Sequence, residues 1–366
     1  MSSFCNRKNI FGYVSPALLT IFLFLLKSCC FAAPVNFVFG DSLVDAGNNN
    51  YIVTLSRANY APYGIDFGEP TGRYTNGRTI VDIIGQELGL EGFTPPYLAP
   101  FTSGMAILQG VNYASGGGGI LNDTGKIFGG RFNMDAQLDN FANTRQDIIS
   151  NIGETAALEL LQNALYSVSI GSNDFLDNYL LPIGEQKMVP PELFVTIMIS
   201  RFREQLTRLY NLGARKIVVA NVGPIGCIPY QRDLNPVAGE NCASFSNQLA
   251  QLFNAELKSL LSELSTSLRD SKFVYADVYR MVENILENYR SYSFESPNSS
   301  CCQAAGPHGG LLPCGPSSKV CSDRSKYVFW DQYHPSDAAN IIVAKRLLDG
   351  DSNDISPINI RQLVQA

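Results

Sequence analysis

The sequence predicts an α/β fold built on a mainly parallel sheet with helices on both of its faces. Two observations carry that expectation. Short runs rich in Val, Ile, Phe and Tyr alternate with segments whose apolar residues recur every three or four positions, and several of those runs end in Gly, Ser, Asn or Asp. The first such end is Phe37-Val38-Phe39-Gly40-Asp41-Ser42. It places a hydroxyl at the carboxyl end of a first strand, where open α/β sheets collect their ligands. On its own Gly-Asp-Ser is an ordinary turn or cap, so Ser42 becomes a candidate nucleophile only with partners elsewhere.

Residues 1–33 read as a secretory leader. Arg7 and Lys8 precede an apolar run from Ala17 to Leu26, Lys27 interrupts it, and Cys29-Cys30-Phe31-Ala32-Ala33 supplies small residues near a cut. The run is shorter than the roughly 20 residues that a membrane span needs, and no transmembrane segment is expected in the mature chain. Removing residues 1–33 takes three of the 27 basic residues and no acid, leaving 24 against 33, a net of −9; nucleic acid is not an expected partner. The cut also removes three of nine cysteines and leaves Cys227, Cys242, Cys301, Cys302, Cys314 and Cys321. An even number in a secreted chain reads as disulfides, with Cys227 and Cys242 paired because they bracket one short loop and the other four pairing among themselves. Zinc is the rival reading, but paired Cys-x-x-Cys units are missing and only His308 is near; no metal is expected. Asn122-Asp123-Thr124 and Asn298-Ser299-Ser300 are acceptor sequons, which makes Asn122 and Asn298 candidate glycosylation sites.

After the first strand, residues 46–77 are rich in Gly, Pro, Asn and Tyr and read as an ordered loop over the sheet's carboxyl edge. Tyr51, Tyr60, Tyr63, Phe67 and Tyr74 within it are either packing residues or the wall of an acyl groove. Ile80, Ile83, Ile84 and Leu88 give a first crossover helix ended by Gly89. A strand is expected over 110–114, running into Ser115-Gly116-Gly117-Gly118-Gly119. Four glycines suit either a flexible turn or a place where main-chain N–H groups approach a ligand. Two helices fit residues 135–161. A buried strand over 164–170 ends at Gly171-Ser172-Asn173-Asp174. Val195, Met198, Phe202, Leu206 and Leu209 mark an amphipathic helix, followed by a strand over 216–220, a long helix over 245–268, a strand over 273–276 and a helix over 278–286. Residues 291–325 hold four cysteines and no period, as expected of a stapled loop. A last helix starts near Ser336. There is no internal repeat and no dividing linker, so residues 34–366 read as one domain.

The mature chain holds two histidines. His308 lies in the cysteine-rich stretch; His334 lies three residues after Asp331, just before a helix. A serine hydroxyl is a weak nucleophile until an imidazole takes its proton, and a carboxylate that fixes the imidazole's tautomer completes the arrangement. Asp331 and His334 could supply both from one turn, though such residues also occur as plain pre-helix loop.

Together these features resemble the GDSL esterase/lipase family, the plant-type branch of the SGNH hydrolases, over nearly the whole mature chain. Its blocks match Gly40-Asp41-Ser42-Leu43, Gly110-Val111-Asn112-Tyr113-Ala114-Ser115-Gly116-Gly117, Gly171-Ser172-Asn173-Asp174 and Trp330-Asp331-Gln332-Tyr333-His334-Pro335. The Gly-x-Ser-x-Gly elbow of α/β-hydrolases is missing. The resemblance implies a flavodoxin-like three-layer α/β/α fold with a mainly parallel five-stranded sheet, and a carboxylic ester hydrolase working through an acyl-enzyme without a cofactor. It implies Ser42 as nucleophile, His334 as base and then acid, and Asp331 as its orienter. An oxyanion hole would come from the Ser42 N–H, the Asn173 amide and a second-block glycine, Gly117 in preference to Gly116. It also implies a small-molecule, lipid or polysaccharide acyl ester as substrate and an extracellular, cell-wall or apoplastic setting. Gln303-Ala304 after the paired cysteines and Ser336 after Pro335 depart from the commoner pattern, and neither touches a catalytic position. Two rivals share the residues: a transferase passing the acyl group to a sugar or alcohol, and a binding protein that kept the fold and lost the chemistry. An intact Ser42, Asn173, Asp331 and His334 argues against the second; hydrolase and transferase stay unseparated.

Overall fold

The computed structural model describes residues 34–181, 189–238 and 241–366; the expected leader at 1–33 lies outside them. Nine strands are present among the described residues: β1 (Asn36–Gly40), β2 (Leu165–Ser169), β3 (Lys216–Ala220), β4 (Lys272–Ala276), β5 (Ser296–Ser300), β6 (Cys302–Gln303), β7 (Lys319–Val320), β8 (Tyr327–Phe329) and β9 (Ile355–Ser356). The main sheet runs β1-β2-β3-β4-β9, parallel through β4 and closed by antiparallel β9. The α/β class with a five-stranded, mainly parallel sheet is therefore what the chain forms.

The segment expected as a strand over 110–114 is an irregular edge instead. It lies parallel to β1 through a single bridge, Val38 to Asn112, with Tyr113 N donating to Val38 O at 2.7 Å and Ser115 N to Gly40 O at 3.1 Å. Counting it as the second strand gives the order 2-1-3-4-5, and places the reversal of strand order at β1, whose carboxyl end is then a ligand position.

Register sorts the side chains. Phe37 and Phe39 of β1 pack on Phe141, with ring centroids 5.2 and 5.6 Å apart, on the face covered by α2 (Met134–Ile152), α4 (Pro191–Asn211) and α6 (Ser244–Ser267). Val38 points the other way and clusters with Val44, Val81 and Ala114, as strand alternation requires. That second face is covered by α1 (Ile80–Glu87), α7 (Val278–Glu287) and α8 (Asp337–Asp349). Short α3 (Glu154–Asn163), α5 (Pro229–Leu234) and α9 (Ile360–Gln365) complete the helices named here. α1 begins with a Thr79–Asp82 capping box, and buried Arg73 pairs with that same Asp82 at 2.7 Å, tying the long 46–77 loop to the helix.

The stretch over 291–325 is more structured than its composition suggests. Polar Ser296–Ser300 forms β5 by pairing with β8, a pairing no apolar alternation announces. Three disulfides join Cys227 to Cys242, Cys301 to Cys321 and Cys302 to Cys314, so the expected pairing holds. Around Trp330 the Cys301–Cys321 and Cys302–Cys314 bridges form a small second core with Ala58, Tyr63 and Tyr74.

Candidate active site

Ser42 is presented by a clamped strand end. The buried Gln137 amide accepts from Gly40 N at 2.8 Å and donates to Gly40 O at 2.7 Å. Asp41 N donates to Ser169 O at 3.1 Å, and the Asp41 carboxylate accepts from Leu43 N at 3.0 Å. Gly40 has to be glycine, since a Cβ there would stand 2.4 Å from Ser169 O. The chain thus turns sharply at Asp41 and leaves Ser42 half-buried, with no hydrogen-bond acceptor for its N–H among the described residues.

Asp331 and His334 come from a tight loop after β8. Trp330 N donates to His334 O at 2.8 Å, which closes it, and Ser336 caps α8. The Asp331 carboxylate accepts from the N–H groups of Tyr333 and His334 at 2.8 Å each, from Tyr63 Oη at 2.7 Å and from His334 Nδ1 at 2.8 Å. Burial alone would raise this acid, but the His334 imidazole and those hydrogen bonds hold it below the usual carboxylate range. An ionised Asp331 is an acceptor only, so Nδ1 carries the proton and Nε2 faces the Ser42 hydroxyl, 2.7 Å away, as an acceptor. Tyr74 packs on the imidazole with ring centroids 5.1 Å apart. The cysteine-rich segment braces the loop from behind: Cys302 N donates to Trp330 O, and Cys314 N to the Gln332 side chain.

The glycine run and the third block meet opposite Ser42. Gly116 N is committed to Asp45 Oδ2 at 3.0 Å and Gly118 N to Ser115 O at 2.9 Å, whereas Gly117 N has no acceptor among the described residues. Gly117 also has φ +79° and sits against Phe128, where a Cβ would be 2.7 Å from the ring. Asn173 Nδ2 donates one proton to Gly118 O at 2.9 Å, which aims the amide and leaves its other proton free. Ser42, Gly117, Asn173 and His334 line one cavity. Asp174 locks the two blocks together by accepting from Ile120 N, Leu121 N and Thr124 Oγ1.

Four carboxyls around this site are displaced upward, each chiefly by burial: Asp41 and Asp177 to about 7, Asp45 and Asp174 to about 6. In the unfolded chain they titrate near 3.9. Between those values the folded state binds more protons than the unfolded one, so stability falls as pH rises from about 4 to 7. Asp331 acts in the opposite sense, but only below its unfolded value. Thermal melts should therefore give a higher Tm at pH 5 than at pH 8; a Tm that climbs across this range would show that the four acids are not held neutral by the fold.

Other expected residues fall elsewhere. Asn122 is exposed and Asn298 half-buried on β5, while the Thr124 hydroxyl of the first sequon is buried on Asp174. Of the five aromatics in the 46–77 loop, Tyr60, Tyr63 and Tyr74 line the cavity; Tyr51 is exposed, and Phe67 packs on Phe93. His308 has a carboxylate partner after all, Asp233, 2.7 Å from Nδ1, but among the described residues no serine hydroxyl hydrogen-bonds to its ring. Tyr63 was legible only as one of five loop aromatics and not as a partner of Asp331; Gln137, Asp45 and Asp177 carried no readable signal, Gln137 showing only as a polar residue on the buried face of α2.

A family model for GDSL-like lipase/acylhydrolase matches residues 37–347. The Arabidopsis thaliana GDSL esterase/lipase At4g16230 is 65% identical over 333 residues, covering 90% of each chain. At3g50400 and At2g23540, also named GDSL esterase/lipases from Arabidopsis thaliana, are 53% and 52% identical, covering 91% of each chain for the first, and 90% of this chain and 87% of the relative for the second. A match over this length, carrying each of the four blocks that meet at one cavity, means that the chain belongs to the GDSL-like lipase/acylhydrolase family and is a carboxylic ester hydrolase.

Proposed function

We propose that the protein is a secreted serine esterase that cleaves acyl esters of small-molecule, lipid or polysaccharide alcohols through an acyl-enzyme on Ser42. Its mature part would be one domain over 34–366, released from a leader at 1–33 and glycosylated at Asn122 and Asn298. The observation that carries the reading is the unbroken line of hydrogen bonds from Ser42 Oγ through His334 to Asp331, at 2.7 and 2.8 Å. Ser42 Oγ attacks the ester carbonyl as its proton passes to His334 Nε2; Asp331 balances the imidazolium. The carbonyl oxygen takes the negative charge, facing the Ser42 and Gly117 N–H groups and the free Asn173 proton. Collapse of the adduct breaks the bond to the alcohol oxygen, which leaves with the proton from His334, and water then enters by the same steps to release the acid. No cofactor takes part. The test is hydrolysis of p-nitrophenyl butyrate by the purified protein, with mass spectrometry after treatment with a serine-directed phosphonate. Label on a residue other than Ser42, or no hydrolysis, would remove the reading, and N-terminal sequencing of the exported protein checks the cut.

Asn173 offers a sharper test, because Asn beside Asp after a strand is also an ordinary turn. A donor to the oxyanion acts mainly in the chemical step, so Asn173→Ala should lower kcat by about 10²–10³-fold with KM little changed. Asn173→Asp should be at least as damaging, since a carboxylate would repel the oxyanion. A turn residue would instead lower Tm and leave the specific activity of the folded fraction near normal.

A further inference from the structure

The cavity at Ser42 does not stop at the reacting groups. It continues beneath the sheet, on the face that α1, α7 and α8 cover, and the whole cavity, serine end included, has a volume of about 270 Å³. The cause lies in the strand sequences. Register aligns Gly40, Ser169, Ala220 and Ala276 across β1 to β4, a row of small side chains at the carboxyl ends. The opposite face carries Phe39, Val168, Val219 and Tyr275 at the neighbouring positions. Helices laid over the small face cannot close on it fully: Ser167 and Val218, in central strands covered on both sides, keep 8% and 5% of their surface open.

The far wall is aliphatic, with Ile84 from α1, Val282 and Ile285 from α7, Val343 and Leu347 from α8, and Ile360 at the end. Some polar groups in the lining are turned to protein partners: Ser167 Oγ donates to Asn36 Oδ1, and Asn221 Nδ2 to Tyr275 Oη and Asp277. Unpartnered polar atoms in the lining include Asp41 Oδ2, on a residue that is 1% exposed, Arg57 Nε and the second Asn173 amide proton. A pocket with mostly apolar walls and a few polar groups gathered at one end suits an apolar guest with one polar terminus.

We propose that this cavity is the acyl-chain site, holding an unbranched saturated hydrocarbon tail whose carboxyl carbon rests at Ser42 while the alcohol part stays at the mouth beside Leu55 and Phe128. The proposal rests on Ser42 as the residue that is acylated. From Gly40 to Ala276 the small-residue row spans three strand spacings, about 14 Å, which an extended chain of on the order of ten carbons covers. Longer tails meet Leu347 and Ile360.

The test has two arms. For p-nitrophenyl esters from acetate to palmitate, kcat/KM should rise roughly two- to four-fold per added methylene up to decanoate or laurate and then level; a flat or falling series overturns the proposal. Val282→Phe and Val343→Trp fill the cavity from different helices, so each should cut the decanoate-to-acetate ratio of kcat/KM at least tenfold, with folding followed by thermal melts. In the second arm laurate and butyrate are titrated into the protein by calorimetry, independent of turnover. Laurate should bind and butyrate should not, and the folded variant of the two should lose laurate. Laurate binding without cleavage of any ester would keep the cavity's role and remove the esterase reading. Cleavage at every length with equal kcat/KM and no laurate binding would do the reverse.

Discussion

Ser42→Ala is expected to lower kcat for ester cleavage by about 10⁶-fold, the scale on which a serine hydrolase depends on its nucleophile, with Tm close to that of the parent. The asymmetry follows from what holds the position. Among the described residues the Ser42 hydroxyl makes one hydrogen bond, with His334 Nε2, and its loss leaves no buried group unsatisfied because the imidazole can turn to water in the open cavity. The turn is built by other atoms: the Gln137 clamp on Gly40, the bond from Asp41 N to Ser169 O, and the Asp41 carboxylate on Leu43 N. None of them needs the hydroxyl. Steady-state rates and melts on one preparation decide the matter, and substantial activity in a fully folded Ser42→Ala protein would move the nucleophile elsewhere.

What could be read from the sequence was whatever repeats or stands beside a strand end. Alternating periods marked β1 to β4 and the long helices, because burial on one or two faces imposes those periods. Each of the four blocks alone reads as an ordinary turn, and they were legible only together, as an ordered set that resembles one family's pattern. β5 and β9 were not, since a strand of Ser-Pro-Asn-Ser-Ser and one of two residues owe their conformation to a partner far along the chain. The same holds within the site. Tyr63 reaches Asp331 across 268 positions from a loop whose tyrosines look alike, and nothing local separates it from exposed Tyr51. The choice between Gly116 and Gly117 had no physical basis until Asp45 was seen to occupy the Gly116 N–H. The acyl cavity was hidden for another reason: it follows from small residues aligned across four strands, and alignment across strands is set by register.

The two histidines give the most discriminating result. Each has a carboxylate on Nδ1, at 2.8 Å for His334 and 2.7 Å for His308, so a paired acid cannot tell a base from a structural pin. The other nitrogen does: His334 Nε2 faces a serine hydroxyl in a cavity, whereas among the described residues no serine hydroxyl hydrogen-bonds to the His308 ring. His334→Ala should therefore reduce kcat to the level of Ser42→Ala, about 10⁶-fold, because the two act as a unit. The double variant should be no worse than either alone. His308→Ala should leave kcat near normal and act on stability. Its imidazole, with the N–H groups of His308 and Gly310, satisfies Asp233, whose side chain is fully buried. Losing one of three donors on that carboxylate should cost about 1–3 kcal/mol and loosen the cysteine-rich segment from α5, which a denaturant melt would register. A His308→Ala protein that is stable but inactive, beside an active His334→Ala, would reverse the two roles, and with them the assignment of Asp331.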